Sequence, residues 1–584
     1  MQRKTALIRK KYNSLLISTL AMTASMYLSG ILDSMMVGQV LGTVELSAIN
    51  LTLSVSFLKS ILMALFTFGG NTIAVMYKGK RDNHKADAAF TLSFHAGMIS
   101  SLVLMVFGLI FARPTAALLA QGNAQLEALV LEYLIPLWLL TPFTVIVNHV
   151  ASFARTDGLN KLSTALPVVS NVINLVCDYI FMALLGMGIA GAGWATIAGY
   201  AVGSVMCIAY FCSKQRGVHF IRLTKEDFRQ FGKIFSTGMP SALIYVCNFL
   251  RLFFMNAIIL SSTGTVGVQI ASVSFSLNSL SFIVAEGASM TLLPMVGAFY
   301  GEKDIKGQRL TLRYGMFVTT VLCLIVMLLS ELFPAQLAGL YGLTDPKILA
   351  VFNTTFRILS INIPILGAVY VMRTFFQGIK QQGIANIIVI LDGFATVIPL
   401  LWALSKCGIY WMWASFPISK AATILITLIV IVIYKKVQKK DNYLLMDAEE
   451  GVTLDITIDN RVEAAVQASE QVMEFCRNNG VDLSVATRIA VATEELCVNT
   501  AKYAYSPSSR NIDIFVKITQ TTVILKLRDN GKIFNPTEYR DDTGKTISGI
   551  QMVRAICSNI EYNRVIGYNT TVLDIDLTRE REEA

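Results

Sequence analysis

Apolar stretches long enough to cross a bilayer as helices, about 20 residues each, recur along the chain as far as residue 434. Polar, Gly-containing turns separate them. They lie at 14–38, 47–77, 88–112, 128–153, 162–186, 190–212, 238–262, 267–298, 313–334, 350–376, 384–405 and 409–434. The pattern therefore predicts a polytopic α-helical membrane protein with twelve spans.

The part of the chain after Lys440 contains no such stretch and carries more charge. Periods near 3.6 residues predict helices there, and alternation of apolar and polar residues predicts strands. About 140 residues suffice for one α/β domain. In chain order, the expected elements are helices at 459–476 and 483–505, strands at 511–520 and 521–530, a helix at 549–560 and a hairpin at 561–577.

The loops between the predicted spans alternate between a basic set and a set that is short and poor in Lys and Arg. The positive-inside rule places the basic set, and with it both ends of the membrane region, in the cytoplasm. The even number of spans agrees with this topology. The basic loops lie at 3–11, 78–85, 155–161, 214–233, 301–309, 380–383 and 435–440.

The long basic loop at 214–233 divides six predicted spans from six, and the two halves resemble each other weakly. A compact turn with Gly and Lys follows the second span of each half, at 77–82 and 300–304. Another follows the fourth span of each half, at 155–161 and 376–383. Such repeats are typical of secondary transporters, whose sites lie between the repeats near the membrane midplane.

Composition agrees with a membrane protein, since 54% of the residues are hydrophobic and the mean hydropathy is +0.57. The net charge of +10 is explained by the loops, so no nucleic-acid partner is expected. The nine cysteines are scattered and indicate neither a disulfide framework nor a zinc site. The basic N-terminus precedes an apolar stretch that is too long for a typical cleaved signal, so we expect this stretch to be retained.

Several polar residues fall inside the predicted spans, where an ionised group is costly and requires a partner, a proton or a cation. Arg251 and Glu286 could pair with each other, and Arg373 is close enough to the cytoplasmic end to extend towards water. Structural pairing is the alternative to function for each of them. The set consists of Asp33, Asn174, Asp178, Thr196, Arg251, Glu286, Arg373 and Asp392.

Asn174 and Asp178 are four residues apart and therefore share one helical face. The Gly-rich turn that follows them leads into the next span and brings Thr196 along. Asp33 lies in the same half, and no cation of the first six spans is expected to pair with the two acids at that depth. The sequence predicts a hydrated or cation-bound carboxylate pair that couples an ion to transport.

Four segments resemble the motifs of the multidrug and toxic compound extrusion (MATE) family: 32–50, 70–86, 174–199 and 294–304. The resemblance covers about residues 10–437. It implies twelve helices in two six-helix lobes, at about 1–222 and 223–440, around a central cleft in the plasma membrane. It also implies antiport of amphipathic or cationic organic compounds against Na⁺ or H⁺.

In one branch of that family, the cation site consists of an Asp in span 1, an Asn-x-x-x-Asp pair in span 5 and a Thr in span 6. The matching residues here are Asp33, Asn174, Asp178 and Thr196. Span 1 of this chain lacks the proline that some members carry. No match to the acidic second-lobe site of other branches is evident.

The C-terminal region contains three short patterns that fit nucleotide chemistry. Glu495 and Asn499 share a helical face, where Asn is a suitable Mg²⁺ ligand and Glu can take a proton, although an ordinary amphipathic helix would look the same. Asp529 follows a strand and can accept a hydrogen bond from an exocyclic amine, with Gly531 allowing close approach. Gly549 opens a helix that could face a phosphate.

Together these patterns resemble the GHKL (HATPase-like) ATPase fold, an α/β sandwich, and in particular the anti-sigma-factor serine kinases. The resemblance covers about 455–580 and implies an ATP-binding domain at 455–584 after a linker at 441–454. It implies that Asn499 binds Mg²⁺ and that Glu495 is the general base. Asp529 would read adenine, and Gly531 and Gly549 would line the nucleotide.

This chain departs from the GHKL pattern in having Tyr503 where His is frequent, and Ile547 and Ser548 in the phosphate lid. ATP binding is therefore better supported than catalysis. TGKT at 543–546 resembles the end of a P-loop, but Tyr539 occupies the position of its first Gly, so a P-loop ATPase is not expected.

The favoured interpretation is a cation-coupled exporter with a cytoplasmic regulatory ATP-binding domain. The alternative is a membrane-anchored signalling protein whose membrane region senses a ligand. Its ATPase-like domain would then phosphorylate or bind a partner of the sigma-factor or anti-sigma-antagonist type. Whether the domain acts as an enzyme is left open by the sequence.

Overall fold

The computed structural model describes most of the chain, and all statements below concern these residues. They are 6–79, 82–157, 159–213, 216–302, 304–439, 442–445, 451–503, 511–532, 535–537, 549–565 and 568–577. The chain forms two compact units. One comprises Ser18–Met290 and Met316–Val430, and the other comprises Met1–Ile17, Thr291–Gly315 and Ile431–Ala584.

From Ala6 to Val437 the described chain is almost entirely helical, because long apolar segments without competing polar groups satisfy their backbone hydrogen bonds internally. In order the helices are α1 Ala6–Val40, α2 Thr43–Met63, α3 Gly69–Gly79, α4 Asn83–Ile110, α5 Ala112–Ala120, α6 Ala124–Leu139, α7 Thr141–Thr156, α8 Asn160–Asp178, α9 Gly188–Cys212, α10 Arg229–Met290, α11 Leu292–Gly301, α12 Ile305–Leu332, α13 Pro334–Gly339, α14 Pro346–Ser360, α15 Asn362–Gly378, α16 Gln382–Ile390, α17 Val397–Ser405 and α18 Ile409–Val437.

Three of these helices continue into a short π-helical segment, in which the backbone winds more widely. The segments are Ala64–Phe68, Tyr179–Leu184 and Leu391–Ala395. The second begins immediately after Asp178, and the third contains Asp392. π-helical turns within helices frequently mark functional sites. Asp178 and Asp392 are therefore both candidate functional residues.

Nine helices of the described chain are long and apolar enough to span a membrane, or ten if the bent pair formed by α6 and α7 crosses it once. This count is lower than the twelve predicted spans. It treats Ser241–Gly301 as a single 61-residue helix, although Gly264 interrupts the helical backbone with φ 64° and ψ −159°. That break lies between the predicted spans at 238–262 and 267–298.

The C-terminal part contains a five-stranded antiparallel sheet in the order β1-β2-β3-β5-β4. The strands are β1 Val452–Asp459, β2 Asn511–Ile518, β3 Thr522–Asp529, β4 Asn559–Val565 and β5 Tyr568–Asp576. The helices are α19 Val462–Asn478, α20 Leu483–Tyr503 and α21 Gly549–Ile556. The two helices, two strands, third helix and hairpin expected from the pattern are all present. Strand β1 was not expected and begins before residue 455.

The sheet has one apolar and one polar face, because alternate residues of a strand point to opposite sides. On the apolar face Ile456, Ile514, Leu525 and Leu573 pack in one core with α19 and α20. Asp529, at the end of β3, belongs to the same side. The polar face carries Arg528 and the residues that lie opposite it on the two adjacent strands.

Candidate cation site and nucleotide site

The first candidate site lies at the end of α8, where the regular helix meets the π-helical segment. Asn174 and Asp178 share a helical face, as their spacing predicts, and Asn174 Nδ2 donates to Asp178 Oδ2 at 3.0 Å. Asn174 Nδ2 also lies 3.3 Å from Thr196 Oγ1 of α9. The Thr196 hydroxyl donates to the carbonyl of Ala192, which leaves its oxygen facing Asn174.

Asp33 of α1 completes this group, since its carboxyl group lies within hydrogen-bonding reach of Asp178. Asp178 is fully buried, and its Oδ1 accepts no hydrogen bond from the protein groups that the structure describes. Two ionised carboxylates this close repel each other, and a proton or a cation between or beside them would remove the repulsion. The structure thus brings together all four residues predicted for the cation site.

Tyr133 of α6 also interacts electrostatically with both Asp33 and Asp178, and the sequence analysis did not single it out. Nothing in its sequence context distinguishes it from the other aromatic residues of the spans. A tyrosine hydroxyl can both donate and accept a hydrogen bond, so Tyr133 could serve either acid.

Gly199 allows α8 and α9 to approach closely beside this group. A Cβ atom at position 199 would overlap the carbonyl oxygen of Ser170 and would lie 3.1 Å from Asn174 Cβ. The missing side chain therefore helps to bring Asn174 and Thr196 within reach of each other.

We expect Gly199→Ala to reduce cation-driven transport, because it forces the two helices apart and separates Asn174 from Thr196. Initial rates in proteoliposomes, compared with those of the wild type, measure the effect. Gly232→Ala is the matched control, since a Cβ there has no atom within 4 Å. Equal rates for Gly199→Ala and the wild type would show that the close approach does not matter to the site.

The second half of the membrane region has a different arrangement around its own acid at a π-helical segment. Asp392 forms a buried ion pair with Lys420 of α18, a residue the sequence analysis did not single out. Asp392 therefore has a fixed cation, whereas Asp178 has Asn174 as its neighbour. Of the two acids, Asp178 is therefore the better candidate for binding an exchangeable cation.

Three further intramembrane charges, Glu286, Arg373 and Lys59, have partners of their own. Tyr27 donates to Glu286 at 2.5 Å, so this carboxylate has a hydrogen bond independent of Arg251. The Arg373 guanidinium lies 4.5 Å from the centre of the Tyr370 ring. Lys59 of α2 is a buried cation that the sequence analysis overlooked, and its ammonium donates to the carbonyl of Leu137 at 3.0 Å.

The second candidate site is a small pocket, partly open to solvent, between α20 and the ends of β3 and β5. Asn499 and Asp529, two of the residues predicted to bind nucleotide, both line it. Glu495 lies one helical turn from Asn499 and accepts a hydrogen bond from Asn499 Nδ2 at 2.8 Å. The lining consists of Leu496, Asn499, Thr500, Leu527, Asp529, Pro536, Asn569 and Thr571.

Asp529 is held in place by its neighbours in the fold. Its Oδ1 accepts from the backbone N–H of Gly531 at 2.7 Å and from Asn569 Nδ2 at 3.0 Å. Asn569 Nδ2 also donates to the carbonyl of Lys532 at 2.8 Å. Asn569 was not predicted as a site residue, although it lies within the 455–580 region that resembles the GHKL fold.

The donor set fits a magnesium ion carried by a nucleotide. The Asn499 amide nitrogen donates to Glu495, so the amide oxygen is the atom that would contact a metal ion. The described residues contain no cluster of three or more His, Cys, Asp and Glu that could form a metal site. Mg²⁺ commonly takes one or two protein ligands and completes its shell with phosphate oxygens and water. Burial, with a contribution from Asp529, raises the pKa of the nearby Cys497 thiol, so this cysteine remains neutral.

The other predicted nucleotide residues are only partly described. Gly531 contributes its N–H to Asp529, and Gly549 is the first residue of α21. Tyr503 is the last residue of α20. The positions of Tyr539, the 543–546 segment, Ile547 and Ser548 lie outside the described residues.

Comparison with known protein families gives two matches. The model of the MatE family matches residues 19–180 and 240–402. The model of the histidine kinase-like ATPase domain matches residues 458–575.

Among characterised proteins, the chain is similar to the multidrug export proteins MepA of two staphylococci. It is 25% identical over 392 residues to that of Staphylococcus haemolyticus, covering 65% of this chain and 84% of that protein. It is 23% identical over 390 residues to that of Staphylococcus saprophyticus, covering 65% of this chain and 85% of that protein.

Two solved structures with the same fold represent opposite states of a multidrug resistance MATE family transporter of the MOP superfamily. The inward-facing structure aligns with a TM-score of 0.65 and 21% identity, covering 73% of this chain and 99% of that chain. The outward-facing structure aligns with a TM-score of 0.57 and 22% identity, covering 74% and 96%.

Proposed function

The chain belongs to the MatE family and carries a histidine kinase-like ATPase domain, and from this premise we propose that it is a cation-coupled exporter regulated by nucleotide. Its membrane region exchanges Na⁺ or H⁺ for amphipathic or cationic organic compounds across the plasma membrane. The multidrug export activity named for the MepA relatives supports this class of substrate.

The observation that carries the proposal is the carboxyl pair formed by Asp33 and the fully buried Asp178. A cation bound there meets the carboxyl oxygens, the Asn174 side chain and the Thr196 hydroxyl. Binding a proton or Na⁺ removes the repulsion between the acids, and releasing it restores this repulsion. The cation thereby biases the packing of α1, α8 and α9, which is the requirement for coupling a gradient to a change of access.

We propose twelve spans in two six-helix lobes, at about 1–222 and 223–440, with both termini in the cytoplasm. Nine helices were found long and apolar enough to span, and three adjustments to this number give twelve spans. These are two spans on either side of Gly264, one span for the pair α6 and α7, and one for the 35-residue helix α1. A linker at 441–454 and an ATP-binding domain at 455–584 complete the division, with β1 extending slightly into the linker.

For the C-terminal domain, we propose that Asp529 and Asn569 read the adenine, and that Asn499 holds Mg²⁺ on the phosphates. Glu495 is the candidate general base. If the domain transfers a phosphoryl group, the acceptor is a serine on a protein partner of the sigma-factor or anti-sigma-antagonist type.

Efflux by the full chain and by a chain ending at Lys440 tests the two halves of the proposal together. In proteoliposomes with an imposed Na⁺ or H⁺ gradient, both proteins should move a fluorescent organic cation such as ethidium. ATP on the side of the C-terminal domain should change the rate of the full chain only. An efflux rate that does not depend on the cation gradient would contradict cation-coupled export. An equal response of both chains to ATP would contradict regulation by the C-terminal domain.

A further inference from the structure

Part of the polar face of the C-terminal sheet is buried, which is unusual for a surface of this composition. Thr457, Asp513, Arg528 and Thr570 alternate with the core residues of their strands, and each is 5% exposed or less. Antiparallel sheets commonly leave such a face in water. Buried charges require partners, so something of complementary charge must cover it.

The partner is the turn of this same chain between α11 and α12, here called the 299–306 turn, of which all but residue 303 is described. Arg528 Nη1 donates to Asp304 at 3.0 Å, and Arg528 Nη2 donates to Glu302. Thr570 donates to Glu302 at 3.2 Å, and Lys526 donates to the Glu302 carbonyl oxygen at 2.5 Å. The turn and the sheet belong to the same compact unit.

An ion pair and a contact with an aromatic ring add to these interactions between the turn and the sheet. Lys306 pairs with Asp455 of β1 at 3.3 Å, and the Arg528 guanidinium lies 4.6 Å from the centre of the Phe299 ring. Arg528, Lys526 and Lys306 thus face Glu302, Asp304 and Asp455, and the buried Asp513 lies opposite Arg528 on β2. Such paired and mostly buried charges specify one docking geometry.

The docked residues and the nucleotide residues are neighbours on the same two strands. In the register of β3 and β5, Arg528 lies opposite Thr570, and Asp529 lies opposite Asn569. The first pair holds Glu302 on one face of the sheet, and the second pair lines the nucleotide pocket on the other face. A shift of either strand end therefore moves both pairs.

We propose that the contact between Arg528 and Glu302 with Asp304, the Arg528 latch, couples nucleotide binding to the turn between two membrane helices. This inference rests on the proposed nucleotide site. The latch orders the ends of β3 and β5 and so holds Asp529 and Asn569 ready for adenine, which raises nucleotide affinity. Because coupling is reciprocal, bound nucleotide tightens the latch on the 299–306 turn.

The latch also identifies what the polar face is for. The 299–306 turn connects Ser241–Gly301 to Ile305–Leu332, two helices that are long and apolar enough to cross the membrane. Nucleotide occupancy is thereby transmitted within one chain, and no separate protein needs to bind this face. The occupant of the face is the transporter's own turn.

The test is nucleotide affinity of the full chain in detergent, measured with the fluorescent analogue TNP-ATP and Mg²⁺. Glu302→Gln with Asp304→Asn removes both carboxylates of the latch and leaves the pocket untouched. We expect affinity to fall about fivefold or more, the usual range for coupled sites. Glu226→Gln with Glu474→Gln, two exposed carboxylates elsewhere, is the matched control and should not change it.

A milder variant distinguishes the loss of the latch from a loss of the fold. Thr570→Val keeps the shape of the side chain but removes its hydrogen bond to Glu302, and it should lower affinity in the same direction. Hydrogen exchange of the amides in 299–306 gives a second measurement, which should slow with ATP in the wild type and not in the double variant.

The outcomes separate the latch from the nucleotide site itself. If the wild type binds TNP-ATP and both latch variants bind it equally well, the latch is overturned while the proposed nucleotide site stands. If the wild type binds no nucleotide, the proposed function of the domain is overturned and the latch with it. If ATP leaves exchange in the turn unchanged, the coupling is overturned.

Discussion

Asp178→Asn is expected to abolish transport driven by a cation gradient while leaving the membrane region folded. Asn has nearly the same shape as Asp and can still meet Asn174, but it carries no charge to bind a cation. Losing one charged contact of about 1.5 to 3 kcal/mol weakens cation binding about 10- to 100-fold. Among the intramembrane acids, Asp178 has the deepest burial and an oxygen without a hydrogen bond from the described groups.

The measurement is the initial rate of ethidium efflux from proteoliposomes at several imposed gradients of Na⁺ and of H⁺. Thr196→Val should give an intermediate loss, since it removes a neutral ligand and keeps both acids. Glu226→Gln, in an exposed loop, is the charge-matched control. Undiminished gradient-driven efflux by Asp178→Asn would exclude this residue as the coupling site.

The comparison with Asp392 explains why the first half carries this expectation. Both acids lie at π-helical segments, but Asp392 already holds Lys420 in a buried ion pair. Removing the charge of Asp392 would strand a buried ammonium and destabilise the fold by roughly 3 to 5 kcal/mol. Loss of transport in Asp392→Asn would therefore accompany loss of thermal stability, whereas loss in Asp178→Asn should not.

The membrane helices, although not their number, and the local part of the cation site followed from the sequence because they depend on short-range rules. Length and apolarity define membrane helices, and a spacing of four residues places Asn174 beside Asp178. Thr196 followed because only a short Gly-rich turn separates its helix from α8. No local rule connects Asp33 with Asp178, so their pairing rested on both being acids of the same half with no cation expected near them, and the family resemblance agreed with it.

The contacts that the sequence did not reveal are long-range pairs between single residues. Lys420 lies in a strongly apolar span and is recognisable only from its contact with Asp392. Arg528 looks like an exposed residue of an amphipathic strand until the 299–306 turn is placed against it. Strand β1 alternates apolar and polar residues, but its pairing partner β2 is distant in sequence, and the pattern alone did not separate it from a linker.

Asp529→Ala is expected to remove nucleotide binding from the C-terminal domain, in contrast to Glu495→Gln. In the proposed site, the Asp529 carboxylate accepts a hydrogen bond from the adenine amine. A hydrogen bond to a charged group contributes about 1.5 to 3 kcal/mol, or about 10- to 100-fold in affinity. Asn569→Ala should weaken binding less, because Gly531 still holds Asp529.

Glu495 does not line the pocket and contacts Asn499 instead, so its replacement by Gln should spare binding and stop only phosphoryl transfer. TNP-ATP titration of the full chain measures binding, and transfer of labelled phosphate measures catalysis, with Glu474→Gln as the control. Wild-type affinity in Asp529→Ala would show that adenine is read elsewhere. Unchanged transfer in Glu495→Gln would exclude that residue as the base.

Because the pocket and the latch share β3 and β5, Asp529→Ala should also remove the effect of ATP on efflux while leaving gradient-driven transport intact.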